Sequence, residues 1–424
     1  MSQNNGQSGG NYYVLFILFL VLYGTIAPVI YTVVFSYLES YYFSLDLMSP
    51  DSFAQGNWFT LCATLLMLHA AYLFRPTAAY KMDTNRYESV YFKYRYILFY
   101  SAILALCIDI VLNLFYGRAQ SSLTSLRSPI AVYLGYFSRG FSQSASLIIL
   151  FPLLLYRRID RFAFIVILLV LMQSITSWSR SALFDICFFI LLGLAYSTTA
   201  TRQMSLKKVM VILMAGVIAI ILGDIGRGAP AFQVVFEVLP RFYQNNQTLY
   251  LAVENPGKVY EILTDGQPRV LLQQLFSFAI ERTEYPSSAR LIEYWGGSIS
   301  PDERGHVAGY AYGWLGLTFG LLGWYGLIAV YIFFLFVFAL LRAFARRTTF
   351  VNIVFFTYFA GVLFEFFQNL GLDSFLEKIF KGFLYTIVYI LVIKMLGSLA
   401  SRRPGRKEVL KSRVREAVPG IQTR

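Results

Sequence analysis

The chain has 424 residues, of which 57% are hydrophobic and only 14% charged, a composition that excludes a water-soluble protein of this length. Apolar runs of about 18 to 25 residues recur along nearly all of it, each long enough to cross about 30 Å of hydrocarbon as a helix, and the lack of period-2 alternation excludes a transmembrane β-barrel. A net charge of +13 would point to nucleic acid in a soluble protein, but here most of the excess follows the positive-inside rule, so no nucleic-acid partner is expected.

In chain order, the first apolar run covers 12–35. No basic residue precedes Arg75, and the run is too long for a secretory signal, so it is expected to remain as the first helix. Further spans are predicted at 57–74, 96–116, 129–156, 162–178, 182–197, 209–225, 311–341, 349–369 and 381–399. The fold class is therefore all-α and polytopic, with about ten transmembrane helices and both termini on one side. Residues 1–225 carry the first seven helices, 226–308 form one large loop, 309–400 carry the last three helices, and 401–424 form a basic tail. Cys62, Cys107 and Cys187 fall inside apolar runs and are expected to be small buried hydrophobes with no disulfide.

Orientation follows from the basic residues between spans. Setting the tail in the cytoplasm, where Arg402, Arg403, Arg406, Lys407, Lys411, Arg413 and Arg415 would meet anionic headgroups, gives a consistent alternation. Arg75, Lys81, Arg86, Lys93 and Arg95 then fall inside, as do Arg157, Arg158 and Arg161, then Arg202, Lys207 and Lys208, then Arg342, Arg346 and Arg347. The first outer loop, 37–56, holds Glu39, Asp46 and Asp51 and no basic residue. The long loop 226–308 falls outside, and its helical patterns around 230–243 and 268–282 are expected to lie on the membrane surface or cap the bundle.

A charge in hydrocarbon is costly unless paired or wet, which makes the few intramembrane ionisable residues candidates for function. Asp109, Arg139, Arg180, Asp185 and Glu365 all map to the outer half of the membrane or its rim, whereas Lys394 near the inner end of the last span is expected to snorkel. An Asp109–Arg139 ion pair that only locks two helices together is an equally open reading. The outer loop adds Arg227, Arg241, Lys258, Arg269, Arg282, Arg290 and Arg304. The positive-inside rule gives no reason for cations there, but a phosphate held at the outer surface does, since the guanidinium fork matches phosphate oxygens. The ligand so inferred is anionic and lipid-borne.

Acid–base candidates are scarce. His69 reads as a packed or interfacial residue, while His306, in Asp302-Glu303-Arg304-Gly305-His306, sits where the chain re-enters the membrane and could accept a proton. Glu293, Glu237, Asp302 and Glu303 compete as bases. No metal-ligand spacing and no phosphate-binding Gly-x-x-x-x-Gly-Lys motif is present, so neither a metal nor another cofactor is expected. Gly313, Gly316, Gly320, Gly323 and Gly326 recur at three- and four-residue spacing, which reads as a small-residue stripe for close helix approach.

Three local features carry a family resemblance. Ser177-Trp-Ser-Arg-Ser-Ala-Leu183 resembles a short Ser-Arg-small turn between central spans, Ser287-Ser-Ala-Arg-Leu-Ile-Glu-Tyr-Trp295 an arginine-then-tryptophan loop segment, and Gly305-His-Val-Ala-Gly-Tyr-Ala-Tyr-Gly-Trp-Leu-Gly-Leu-Thr-Phe-Gly-Leu-Leu-Gly323 a loop exit followed by a Gly-rich helix. In these, and in layout over about 160–345, the chain resembles the bacterial O-antigen polymerases and related oligosaccharide repeat-unit polymerases, with the O-antigen ligases as cousins. It departs from them as well. Neither Arg227 nor Arg241 is followed eleven residues later by the glycine that some members carry, and Val307 follows His306 where ligases tend to have asparagine, which favours polymerase over ligase.

The resemblance implies a GT-C-like glycosyltransferase of the bacterial inner membrane, with cytoplasmic termini and a periplasmic loop, acting on undecaprenyl-pyrophosphate-linked oligosaccharides. It implies that Arg290 and Arg180 bind the pyrophosphate, that Arg227, Arg304 and Arg139 assist, and that His306 or Glu293 is the base. Membrane lipids and a chain-length regulator protein are the other partners it implies. The alternatives are an O-antigen ligase transferring glycan to lipid A core, and a lipid-linked oligosaccharide transporter, although no duplicated halves favour the latter.

Overall fold

A computed structural model describes residues 8–26, 49–76, 84–116, 129–156, 158–177, 181–197, 248–264, 313–347, 349–368 and 372–401. Among these residues the chain is almost entirely helical, with no strand. Hydrocarbon offers a backbone no hydrogen-bond partner, and continuous helix satisfies each N–H and C=O within the segment.

The helices are α1 (Ser8–Val21), which continues into a π-helical turn at Leu22–Ile26, α2 (Pro50–Leu73), α3 (Thr84–Tyr116), α4 (Pro129–Phe141), α5 (Gln143–Tyr156), α6 (Arg161–Ser177) and α7 (Ser181–Ala195). After a helical stretch at 248–254 come α8 (Pro256–Thr264), α9 (Trp314–Leu322), α10 (Gly326–Ala345), α11 (Phe350–Gln368) and α12 (Leu372–Ser401). Among the described residues, four stretches are long and apolar enough to cross a membrane: Glu88–Phe115, Trp314–Ala345, Phe350–Phe367 and Ile379–Leu399. Tyr12–Val21, Gln143–Tyr156, Arg161–Thr176 and Ile186–Ala195 are shorter apolar helices. The expected span 209–225, the loop patterns 230–243 and 268–282 and the basic tail lie outside the described residues.

Several boundaries differ from expectation: α3 begins at Thr84 rather than 96, α12 at Leu372 rather than 381, the expected span 311–341 is interrupted by a 3-10 turn at Gly323–Tyr325, and two further differences have a local cause. α2 begins at Pro50 rather than 57, because Ser49 caps it through a side-chain oxygen that accepts from the Ser52 N–H, and proline suits the first helical position. The expected span 129–156 is two helices, broken at Ser142. There, Gly140, Ser142 and Ser144 weaken the helix with a flexible backbone and with side chains that compete for hydrogen bonds.

Burial shows how the bundle is layered. α5 is buried from Ser144 to Leu155 apart from the half-buried Ser146, and is a central helix. Of the Phe350–Phe367 stretch in α11, 56% is buried, against 22% of Ile379–Leu399 in α12, so α12 is peripheral. Its outer face exposes Phe380, Leu384, Val388, Leu391 and Met395 while Thr386, Tyr389 and Ile393 face inward. A continuous apolar exterior of this kind suits lipid rather than water. Cys187 is buried as expected, but Cys107 is exposed on α3 and Cys62 half-buried on α2, because each lies on or near the outward side of its helix.

Contacts sort the helix ends into two sets. At one end, Arg342 Nη1 donates to Leu73 O at 3.2 Å, the Tyr13 hydroxyl donates to Ala71 O at 2.7 Å, Tyr94 stacks on Phe350 at 4.3 Å, and the Ser197 hydroxyl donates to Leu154 O at 3.0 Å. This end also carries Arg75, Lys93, Arg95, Arg158, Arg161, Arg346 and Arg347, and is the basic end of the bundle. At the opposite end, Trp314 Nε1 donates to Gly24 O at 3.0 Å, and Tyr250 OH donates to Asn57 Oδ1 at 2.7 Å.

Candidate functional site

Inside the apolar layer the chain builds a polar seam on α3. Asp109 lies in the last third of that helix, towards the end opposite the basic one. Its Oδ1 accepts from the Ser138 hydroxyl on α4, and its Oδ2 accepts from Gln173 Nε2 on α6 at 2.9 Å. A carboxylate taken out of water costs several kcal/mol unless donors replace its hydration, and these two side chains reach it from different helices to do so. Four residues on, Asn113 is only 4% exposed, and its amide Nδ2 has no acceptor among the described residues.

The seam continues toward mid-bundle at the Ser142 break. Gln143 Nε2 donates to Thr386 Oγ1 at 2.6 Å, the Ser101 hydroxyl donates to Ser144 Oγ at 2.8 Å, and Ser144 Oγ and Tyr389 OH lie 2.7 Å apart. From Ser101 to Asn113 the seam runs about 18 Å along α3 at 1.5 Å per residue. Arranged this way, the groups fix the register of α3, α4, α5, α6 and α12 around a break that a straight helix would not leave.

A second feature anchors the long loop. The Glu254 carboxylate, at the end of the 248–254 stretch, receives the Ser52 hydroxyl, the Ser49 hydroxyl at 2.7 Å and the Ser49 N–H at 3.1 Å, all on one oxygen at the start of α2. An anion at a helix N-terminus meets both unpaired N–H groups and the positive end of the dipole. The Ser52 and Ser49 hydroxyls, with the Ser49 N–H, hold this carboxyl below its ordinary range. Tyr250 is buried in the notch left by Gly56 on α2.

The glycine stripe divides by cause. A Cβ on Gly316 would lie 2.8 Å from Leu249 N, and one on Gly320 2.7 Å from Leu263 Cδ1, so these two let the loop stem pack directly on α9. Gly313 and Gly323 are required for a different reason, their positive φ of 62° and 57°.

Of the predicted site residues, Arg180, Arg227, Arg290, Glu293, Arg304 and His306 lie outside the described residues, and Arg139 is on α4 immediately after Ser138 with its side chain likewise outside the description. The Asp109 carboxylate is therefore placed, while its relation to Arg139 is not described. Asp185 is on α7, and Glu365 is half-buried near the end of α11. His69, exposed on α2, has its Nδ1 2.7 Å from the hydroxyl of Tyr331 on α10, and its ring stacks on that residue. Among the described residues no group of three or more His, Cys, Asp and Glu could hold a metal. Comparison with protein-family models, with curated proteins and with solved structures returns no match.

Sequence reasoning missed Ser138, Gln173, Asn113 and the Gln143–Thr386 pair. Polar residues four apart within an apolar run, as in Asp109 and Asn113, and the polar interruption from Arg139 to Ser144 are the signals that could have found them.

Proposed function

We propose that this chain is a glycosyltransferase of the bacterial inner membrane that polymerises undecaprenyl-pyrophosphate-linked oligosaccharide repeat units at the periplasmic face, independently of metal. The observation that carries this reading is the loop stem. Residues 248–264 pack on α2 and α9 at the end opposite the basic one, so if the basic end is cytoplasmic, the arginine-bearing loop is rooted on the outer side. No nucleotide is available there, and a lipid pyrophosphate is the leaving group that such chemistry requires.

In this reading Arg290 and Arg180 grip the pyrophosphate, with Arg227, Arg304 and Arg139 adding fixed charge where the leaving group becomes more negative. His306 or Glu293 takes the proton from an acceptor sugar hydroxyl. That oxygen attacks the anomeric carbon of the growing chain, the bond to pyrophosphate breaks with its electron pair, and the configuration inverts through an oxocarbenium-like transition state. Asp109, held by Ser138 and Gln173, fixes the helix that bears Arg139.

A transporter is the second reading, and the break at Ser142 beside a polar seam is what favours it, since interrupted helices commonly line translocation sites. Disrupting the gene and resolving the surface polysaccharide on a gel separates the two. The polymerase reading expects long chains to disappear while single repeat units stay attached. Loss of all attached sugar would contradict it and favour the transporter or a ligase.

A further inference from the structure

At the basic end α3 and α6 lie side by side, with the rings of Phe99 and Phe162 at 4.7 Å. Arg95 occupies this seam. Its guanidinium lies 4.6 Å from the ring centroids of Phe92 and Tyr96 and 5.6 Å from that of Phe162. One Nη2–H donates to the Tyr96 hydroxyl at 3.0 Å, and the buried Nε–H has no acceptor among the described residues. Nearby, Arg158 lies over the Tyr156 ring at 4.9 Å.

The carboxylates here are occupied by other donors. Glu88 accepts from the Tyr156 hydroxyl at 2.5 Å, and Asp160 accepts from Tyr91 and from the Ala163 N–H at the start of α6. Neither Arg95 nor Arg158 forms an ion pair with a described carboxylate. Two arginines therefore stand at the rim, spread on aromatic rings, with Nη–H donors that no described carboxylate takes. From Arg95 toward mid-membrane the two packed helices expose apolar side chains, Tyr100 and Leu104 on α3 and Ile165, Leu168 and Met172 on α6.

We propose that this face binds one anionic phospholipid, its phosphate on Arg95 and Arg158 and an acyl chain along the exposed apolar side chains of α3 and α6. A guanidinium held flat on rings is pre-organised for two parallel hydrogen bonds to phosphate oxygens. The 33 residues of α3 span about 50 Å against about 30 Å of hydrocarbon, which leaves Arg95 within side-chain reach of the headgroups. The apolar face decides between sources of phosphate, because a free phosphate gains nothing from it and a lipid lays a chain on it.

The test uses the full chain purified in detergent, with phosphatidylglycerol and phosphatidylcholine supplied together and bound lipid counted by native mass spectrometry. Wild type is expected to retain phosphatidylglycerol about fivefold over phosphatidylcholine, the scale of one arginine contact at an anionic surface. Arg95→Gln should abolish that preference, and Arg95→Lys should keep part of it, since the charge survives and the fork does not. Equal retention of both lipids by wild type, or an unchanged preference in Arg95→Gln, overturns the proposal. Should Arg95→Gln fail to fold, wild type with photoactivatable phosphatidylglycerol decides. Crosslinks within 88–104 and 158–172 support the site, and crosslinks confined to other segments refute it.

Discussion

The side-chain amide of Gln173 donates to the Asp109 carboxylate at 2.9 Å, tying α6 to α3 within the apolar layer. Gln173→Leu removes a donor from a carboxylate that has little water to replace it, and should lower stability by about 1–3 kcal/mol. Asp109→Asn, which keeps an acceptor for Ser138, should cost less than Asp109→Leu. Thermal unfolding of the purified protein in one fixed detergent measures all three, and an unchanged midpoint for Gln173→Leu would show that the bond contributes nothing.

Glu254 should make the loop stem sensitive to acid. Its carboxyl is held below the ordinary glutamate range in the folded protein, so the bound state gains stability above the unfolded-state value and loses it as pH falls through the lower folded value. Protection of residues 248–264 against hydrogen exchange, taken relative to the intrinsic rate at each pH, is expected to fall on acidification. Glu254→Gln should flatten that dependence, because it removes the carboxylate that the Ser49 and Ser52 donors hold in its charged form. A variant with the same acid profile as wild type would place the sensitivity in another residue.

Gly316 and Gly361 should respond oppositely to the same change. Gly316→Ala drives a Cβ to 2.8 Å from Leu249 N, which is backbone and cannot swing aside, so a loss of about 1–3 kcal/mol is expected. Gly361 faces open space on α11, and Gly361→Ala should be neutral or gain up to about 1 kcal/mol from helix propensity. Chemical or thermal unfolding of the pair tests this directly, and equal effects would mean that the loop stem does not rest on α9.

His306→Ala should slow sugar transfer by about 10²–10⁴-fold if this residue is the base. Turnover at the wild-type rate would move that role to Glu293. The assay is chain extension by purified protein, with lipid binding followed separately so that a defect in binding is distinguished from one in proton transfer.

The helices were legible because hydrocarbon permits little else: an apolar run such as 381–399 has to be helical and reads the same in sequence as in space. The break at Ser142 was not legible as a break, since a polar interruption of a few residues still fits within one hydropathy window. Asp109 stood out by its charge. Its partners Ser138 and Gln173 did not, because which of many uncharged polar side chains meet depends on helix rotation, and hydropathy carries no information about rotation. The stem at 248–264 was hidden for a related reason. It is short, and it is buried by contact with α2 and α9 rather than by its own length.

Purified protein mixed in detergent with undecaprenyl-pyrophosphate-linked repeat units, in the presence of a chelator, tests the central claim most directly. The proposal predicts a ladder of extended chains from wild type and a rate lower by about 10²-fold or more in Arg290→Ala, the scale of losing one fixed donor to a developing charge. No ladder from folded wild type, or wild-type extension by Arg290→Ala, would contradict it.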